Sequence, residues 1–550
     1  MIETANSSQE ESIVTSQLPD DRLSALPESL VYWGLLVVAA YSLLRSVVYA
    51  AIKPFWFDEV LTYVVSRQGT PSAIWAALKQ GVDGNPPTFY LLEHFAASLL
   101  PNEHIGYRLL SIVGFACALL LLFVFLKTRY GSHRALLCSS LLLITPLFTL
   151  YAEEARPYSL VAALIALAMV CYQRAPDVTW TAGLGASLLL AALLHYYTVL
   201  ILAPFFLAEL ALVCFARQIR FKVWLALALP LVPIAVSWPR LMWMKQNWGP
   251  HFWAGAALSD VSAAYGAYFR VGPPWGMAIC GLAILIILLP LVRRFSASGD
   301  SPILQPVLIA ERVLIAGLTA LPLFGFTVAK ITHGPFVERY FLPCIFGIAA
   351  SAAFVLRSAP AKTLLPVAIL VCVAVSSQEF GFWKALHSRQ TVASVTAPLM
   401  ELAGNPNFAD LPIVISDSLS FVEIWHYAPA AIFRRAVTVP DPESAAAQVH
   451  KDTVDRLVLA LRPYGPPGIR DFAGFKAAYP KFLLYSSGSR FEWLPARLVH
   501  DGYRLERISW DYGSGSAYLV QAPQPREPSR AYSLPTSAAP SRNPTVKSAP

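Results

Sequence analysis

Long apolar runs, separated by short charged segments, fill the first 380 positions of the chain. A helix needs about twenty apolar residues to cross a bilayer. Runs of that kind lie near 30–51, 105–126, 135–151, 155–172, 180–195, 198–215, 223–239, 273–292, 311–330, 341–357 and 363–379. The pattern predicts a polytopic α-helical membrane protein with about eleven transmembrane helices. The stretch 180–215 reads either as a hairpin or as one long tilted span.

Beyond about residue 385 the pattern changes to short, alternating segments. LPIVISD (411–417) predicts a strand, SFVEIWHYA (420–428) a helix, and DRLVLALRP (455–463) another strand. FEWLPARLVHDGY (491–503) predicts a helix leading into RLERISW (504–510) and SAYLVQAP (516–523) as paired strands. Strand and helix in alternation imply a small α/β domain over 385–522. The ends differ again. Residues 1–29 are polar and acidic with no basic segment before the first apolar run, so they read as a disordered cytoplasmic tail and not as a secretory signal. Residues 523–550 are rich in Pro and Ser and read as a second disordered tail.

Charge orients these spans. Lys127, Arg129 and Arg134, then Arg174, then Arg217, Arg220 and Lys222, then Arg293 and Arg294, then Arg357 and Lys362 fall in alternate loops. That regularity is the positive-inside pattern. It places the N-terminus in the cytoplasm, the multi-pass chain in the cell inner membrane, and the 385–522 domain on the extracytoplasmic side. A second set of cations breaks the rule. Lys53, Arg108, Arg156, Arg240, Lys245, Arg270, Lys330 and Arg339 all fall on the outer side, so something other than topology must account for them.

Composition fits this reading. Hydrophobic residues make up 56% of the 550 and charged residues only 14%, against about a quarter in a typical soluble domain. Mean hydropathy is +0.52. The net charge of +8 comes from cations between apolar runs, with no basic tract interleaved with aromatics, so nucleic acid is not a partner. The seven cysteines include no CxxC pair and behave as small hydrophobes. Neither a P-loop nor an HExxH motif nor a nucleophile elbow is present.

The chemistry therefore concentrates on the outer side. The first outer loop, 52–104, opens with FWFDEV (55–60), where Asp58 and Glu59 are adjacent acids at a hydrocarbon boundary. They read as wet-loop acids or as carboxylates at a cavity mouth, able to take a proton. Carboxylate oxygens also suit Mg or Mn, so a divalent metal at Asp58 and Glu59 stays open. The stretches 61–67 and 73–80 predict amphipathic helices lying on the membrane surface, with Trp75 at headgroup depth. DGNPPTFY (83–90) predicts a rigid turn carrying Asp83 and Asn85. YAEEARPYS (151–159) holds Glu154 and Arg156, which either pair with each other or wait for an anion. In ERYFLP (338–343), Arg339 and Tyr340 repeat the theme; the plain alternative for Arg339 is snorkelling. His195, in LHYYTVL, is a further site candidate.

FWFDE, DGNPPTFYLLEH, YAEEARPYSL, LHYYTVL and ERYFLP, in this order and on one side, resemble the GT-C superfamily of membrane glycosyltransferases. The resemblance covers roughly 30–380. It is nearest the bacterial branch of protein O-mannosyltransferases, the lipid A aminoarabinose transferase and the RgtA/B/C/D-like lipopolysaccharide transferases. It implies transfer of a sugar from a polyprenyl-phosphate donor to a hydroxyl or amine of a glycolipid or protein acceptor. It further implies Asp58 as catalytic acid with Glu59 its partner, Arg156 and Arg339 at the donor phosphate, and Glu154 as an acid of the second motif. One departure is Asn85, where the family often has His before the double proline; Asn cannot carry a proton. Two rivals remain open: a transporter or flippase of lipid-linked glycans, and a receptor whose soluble domain does the work.

Overall fold

The computed structural model describes residues 27–296, 306–386, 391–508 and 515–523. Nearly all of both tails, 1–29 and 523–550, and much of the 293–310 loop lie outside the described residues.

The apolar runs fold as helices, several of them broken. Glu28–Ile52, Glu103–Tyr130, Thr198–Ala216 and Pro273–Ser296 are continuous, as is Ala361–Leu386. Among the described residues four helices are long and apolar enough to cross a membrane, or seven when each of three bent pairs counts as one span. The other apolar runs form shorter helices such as Tyr158–Arg174, Val178–Leu194 and Cys344–Leu356. Proline explains two breaks. The 135–151 run divides into Ser132–Ser139, Leu141–Ile144 and Pro146–Tyr151, with Thr145 extended ahead of Pro146. The 311–330 run bends by 61° between Val307–Thr319 and Leu321–Thr332, where Pro322 opens the second segment. Two further helices, Trp238–Trp248 and Leu258–Phe269, lie between the apolar runs 223–239 and 273–292.

The first outer loop departs from expectation. Phe57–Ser66 is a helix, but it does not lie on a membrane surface. Phe57, Glu59, Val60, Leu61, Thr62, Val64, Val65 and Ser66 are all buried, so it is enclosed on every side. Pro71–Lys79 keeps the expected amphipathic character, with Ile74, Ala77 and Leu78 inward. Its start is set by Thr70, whose Oγ1 accepts from Ala73 N at 3.2 Å.

Glu103–Tyr130 organises one end of the bundle through one face. Arg108 reaches the first loop, and Ser111 Oγ donates to Arg156 O at 2.8 Å. At Gly114 an added Cβ would lie 2.6 Å from Leu160 N. Only glycine permits that approach of Tyr158–Arg174, which in turn fixes the turn carrying Arg156.

The C-terminal domain is built on a sheet of five strands among the described residues: β1 (Ile413–Ile415), β2 (Ala436–Val437), β3 (Lys481–Ser486), β4 (Arg504–Arg507) and β5 (Ser516–Gln521). The order is β2-β1-β3-β5-β4; β1 runs parallel to β2 and β3, and β5 is antiparallel to β3 and β4. The segment predicted as a strand at 455–463 is instead the helix Thr453–Leu461. Its buried apolar positions Val454, Val458 and Leu461 follow helical spacing. One face of the sheet has its own core around Val414, Phe482, Leu484, Trp493 and Val520. The other face, with Ile413, Phe421, Ile424 and Leu483, joins the core of the membrane bundle. The domain is docked, not tethered.

Candidate active site

Three turns converge where the domain meets the bundle. The first, 53–57, leads into the Phe57–Ser66 helix, whose first turn carries Asp58 and Glu59. These neighbours point to different environments. Glu59 is wholly buried against an equally buried Arg108. Arg108 Nε donates to Glu59 Oε1 and its Nη2 to Oε2, both at 2.7 Å. The remaining guanidinium hydrogens go to the carbonyls of Ala50 and Lys53 at 2.7 Å and of Pro54 at 3.1 Å. That uses the five-donor capacity of an arginine. Glu59 Oε1 also accepts from Ala155 N at 2.8 Å, and Oε2 from Trp56 N at 3.3 Å. Burial alone would raise the Glu59 pKa, but Arg108 outweighs it and holds the group below the usual carboxylate value.

Asp58 faces the opposite way. Its Oδ2 lies 3.3 Å from Arg339 Nη2 and 3.9 Å from Arg156 Nη2. Arg339 comes from a short 3-10 turn, Glu338–Phe341, and its Nε donates to Tyr158 Oη at 3.0 Å. The guanidinium lies among the rings of Trp56, Tyr158, Trp253 and Tyr340, 5.6–6.0 Å from their centroids. Arg156 Nη1 donates to Asp83 Oδ2 at 2.6 Å and to Asp58 O and Thr62 Oγ1 at 3.1 Å. Asp83 is locked further by Gly84 N donating to its Oδ1 at 2.6 Å and by Arg240 Nη2 donating to its backbone carbonyl at 2.8 Å.

His195 ends the Val178–Leu194 helix and stacks among Tyr158, Tyr197 and Tyr340, with centroids 4.8–5.9 Å away. Tyr340 packs on Tyr197 at 4.3 Å. Glu154 does not pair with Arg156: its Oε1 accepts from Lys53 Nζ at 2.8 Å.

Several polar atoms here are buried without a partner: Trp56 Nε1, Asn85 Nδ2, Glu154 Oε2 and Arg156 Nε. Each belongs to Arg156 itself or to a residue two positions from Asp58, Asp83 or Arg156. None of the four has a protein partner; buried polar groups of this kind are ordinarily satisfied by ordered water or a ligand.

Comparison with known proteins identifies the architecture. No protein-family model matches the chain, and no curated protein matches it. Among solved structures, ArnT from Cupriavidus metallidurans bound to undecaprenyl phosphate superimposes with a TM-score of 0.53 at 12% identity, over 90% of this chain and 98% of that one. This chain has the GT-C fold. The oligosaccharyltransferase AglB from Archaeoglobus fulgidus aligns with a TM-score of 0.47 at 10% identity, over 88% of this chain and 74% of that one.

Within this GT-C fold the sequence candidates separate. Asp58, Asp83, Arg156, Arg339, Tyr340 and His195 form one contiguous group, with Asn85 and Glu154 at its edge. Glu59 stands apart from the group: both its oxygens are committed to Arg108 and to backbone N–H groups. The same commitment bears on a divalent cation. Asp58 stands against two guanidinium groups, Glu59 is not free to join it, and no cluster of three or more His, Cys, Asp or Glu gathers among the described residues. The residues present do not fit a Mg or Mn site at positions 58 and 59. Sequence reasoning missed the jobs of Lys53, Arg108 and Arg240, although all three stood out as cations on the wrong side. It missed Trp253 and the whole contribution of the C-terminal domain, for which no local signal exists.

Proposed function

We propose that this chain is an integral-membrane glycosyltransferase. It moves a sugar from a polyprenyl-phosphate donor to an acceptor hydroxyl or amine, on a glycolipid or protein, at the extracytoplasmic face of the inner membrane. The observation that carries this reading is the Asp58 carboxylate set between Arg339 and Arg156 among the rings of Trp56, Tyr158, Trp253 and Tyr340. The sharing of a fold with a protein solved with undecaprenyl phosphate adds to it.

The chemistry is a single displacement. The acceptor oxygen or nitrogen forms a bond to the anomeric carbon as the bond from that carbon to the phosphate oxygen breaks. The lipid phosphate leaves with the electron pair, and Asp58 takes the acceptor's proton. Attack from the face opposite the phosphate inverts the anomeric centre. Arg339 and Arg156 meet the charge that builds on the leaving phosphate through charge-assisted hydrogen bonds. Trp56, Trp253 and Tyr340 offer flat faces to the sugar. No nucleotide is needed, because the phosphate is already the leaving group.

Purified protein given a radiolabelled lipid-linked sugar and an envelope extract as acceptor source should release free lipid phosphate and label the acceptor. Asp58→Asn should lower turnover by about 10²- to 10⁴-fold, the usual range for a lost proton acceptor, with donor binding retained. Movement of intact labelled donor across a vesicle bilayer, without cleavage, would instead establish a flippase.

A further inference from the structure

The backbone just ahead of Asp58 is held from the far end of the chain. Pro54 has no N–H, and the next three residues each need an acceptor as the chain enters the Phe57–Ser66 helix. Trp56 N donates to Glu59 within the helix. The other two go to the C-terminal domain. Phe55 N donates to Tyr427 Oη at 2.5 Å, and Phe57 N donates to Glu423 Oε1 at 2.9 Å. Both acceptors sit on one face of Ser418–Tyr427, four residues apart, one turn of helix.

Tyr427 is itself fixed. Its hydroxyl hydrogen faces His104 Nε2 at 2.9 Å, and His104 Nδ1 lies 3.4 Å from Ala51 O. One tautomer satisfies the whole relay: Nδ1–H donates to Ala51 O, Nε2 accepts from Tyr427, and Tyr427 accepts from Phe55. Between the two hydrogen bonds, His426 packs edge-on against Tyr63 at 4.6 Å and tilted on Phe55 at 5.4 Å. The domain also grips the opposite wall of the cleft. Asp452 N and Thr453 Oγ1 donate to His251 O at 3.2 and 3.3 Å, and Arg490 lies 5.8 Å from the ring of Trp253, which itself stacks on Arg339.

We propose that the C-terminal domain is a working part of the active site, with Glu423 and Tyr427 as positioning residues that set where Asp58 stands relative to Arg339. This rests on Asp58 being the proton acceptor. The mechanical argument is short. Asp58 lies one residue past Phe57, so a shift of that N–H moves the carboxylate directly, and displacements near 1 Å at a reacting group are enough to slow chemistry. Burial pushes the Glu423 pKa up to about 7, with Asp417, Glu59 and Asp58 adding to the shift. Its task of accepting one N–H does not depend on charge, so a neutral amide oxygen should serve.

The test uses the full-length protein carrying Glu423→Ala, Glu423→Gln or Tyr427→Phe, with turnover expressed per folded enzyme. Glu423→Ala should lower kcat by roughly 10- to 100-fold, while donor KM moves by less than about threefold. Glu423→Gln, which keeps the accepting oxygen, should stay within about threefold of the parent kcat. Tyr427→Phe keeps the ring, drops both hydrogen bonds and should lower kcat in the same sense, which provides a reading should Glu423→Ala fail to fold. Hydrogen exchange across 55–66 should quicken in Glu423→Ala and not in Glu423→Gln. Parent-like kcat and exchange in Glu423→Ala, or equal loss in the Gln variant, would overturn the proposal. A parent protein that transfers no sugar would overturn the enzymatic reading alone, and the exchange data would still decide whether Glu423 holds the turn.

Discussion

The two ends of the Glu103–Tyr130 helix handle charge in opposite ways. Arg108 and Arg129 stand roughly 30 Å apart along it, from a rise of 1.5 Å per residue. At the far end Arg129 forks onto Glu311, Nε to Oε2 at 2.9 Å and Nη2 to Oε1 at 2.6 Å. Nearby, Glu209 takes Arg220 and the Tyr172 hydroxyl, the latter at 2.8 Å. These are closed pairs, each carboxylate matched to its own guanidinium. At the near end Arg108 and Glu59 close in the same way. One residue away, Asp58 shares two guanidinium groups at longer range, 3.3 and 3.9 Å, beside polar atoms with no protein partner. Closed forks hold helices together. A carboxylate shared between two cations at longer range is the arrangement on which the proposed transfer rests.

The strongest way to break this contrast is Glu59→Gln. It leaves the guanidinium of Arg108 buried with its charge uncompensated, and losing one partner of a buried pair typically costs about 3–5 kcal/mol. Thermal unfolding in detergent should show a large fall in Tm and a poor yield of folded protein, whereas Asp58→Asn one position earlier should lower Tm less, because Arg156 keeps Asp83 and the Asp58 side chain is 16% exposed against 0% for Glu59. A Glu59→Gln protein that melts normally and loses only turnover would return Glu59 to the catalytic group.

Arg339→Ala comes next. Loss of one cation that meets the developing phosphate charge should lower turnover by about 10²- to 10³-fold, or roughly 3–4 kcal/mol in the barrier. Its effect on Tm should be smaller than that of Glu59→Gln, because Asp58 keeps Arg156 and some access to water. Turnover unchanged in Arg339→Ala would mean that the open cluster is only another structural pair.

How much of this was legible in the sequence follows from the same contrast. Asp58, Arg156 and Arg339 could be picked out because charge at an apolar boundary is expensive, and the two arginines also defied the loop rule. What the pattern could not give was the partner of each charge. Adjacent Asp58 and Glu59 look alike in sequence, and only the position of Arg108, 49 residues on, separates the enclosed carboxylate from the one shared between two cations. Helix breaks at Pro146 and Pro322 were hidden because hydropathy averages over them. The 455–463 segment is a short apolar run, where strand and helix periods both fit until burial of Val454, Val458 and Leu461 decides. The docking of Glu423 and Tyr427 on residues 366 and 372 positions earlier leaves no trace in local pattern.

The smallest effect belongs to an ion pair with the same chemistry in a different setting. Arg497 Nε donates to Asp501 Oδ1 at 2.9 Å, four residues on along the domain's surface. Its side chain is 34% exposed, against 0% for Arg108. Water and salt screen such a pair, so Arg497→Ala should cost only about 0.5 kcal/mol. Two local features reinforce this. Asp501 keeps Lys476, whose Nζ donates to its Oδ2 at 2.6 Å. The Ser444 hydroxyl that Arg497 Nη1 reaches at 3.0 Å still has Asp441 Oδ2, 2.7 Å away, as an acceptor. Tm in detergent should therefore barely move, and sugar transfer should not change. A loss as large as that of Glu59→Gln would show that burial is not what separates strong pairs from weak ones in this protein, and the distinction between closed anchors and the open Asp58 cluster would lose its physical basis.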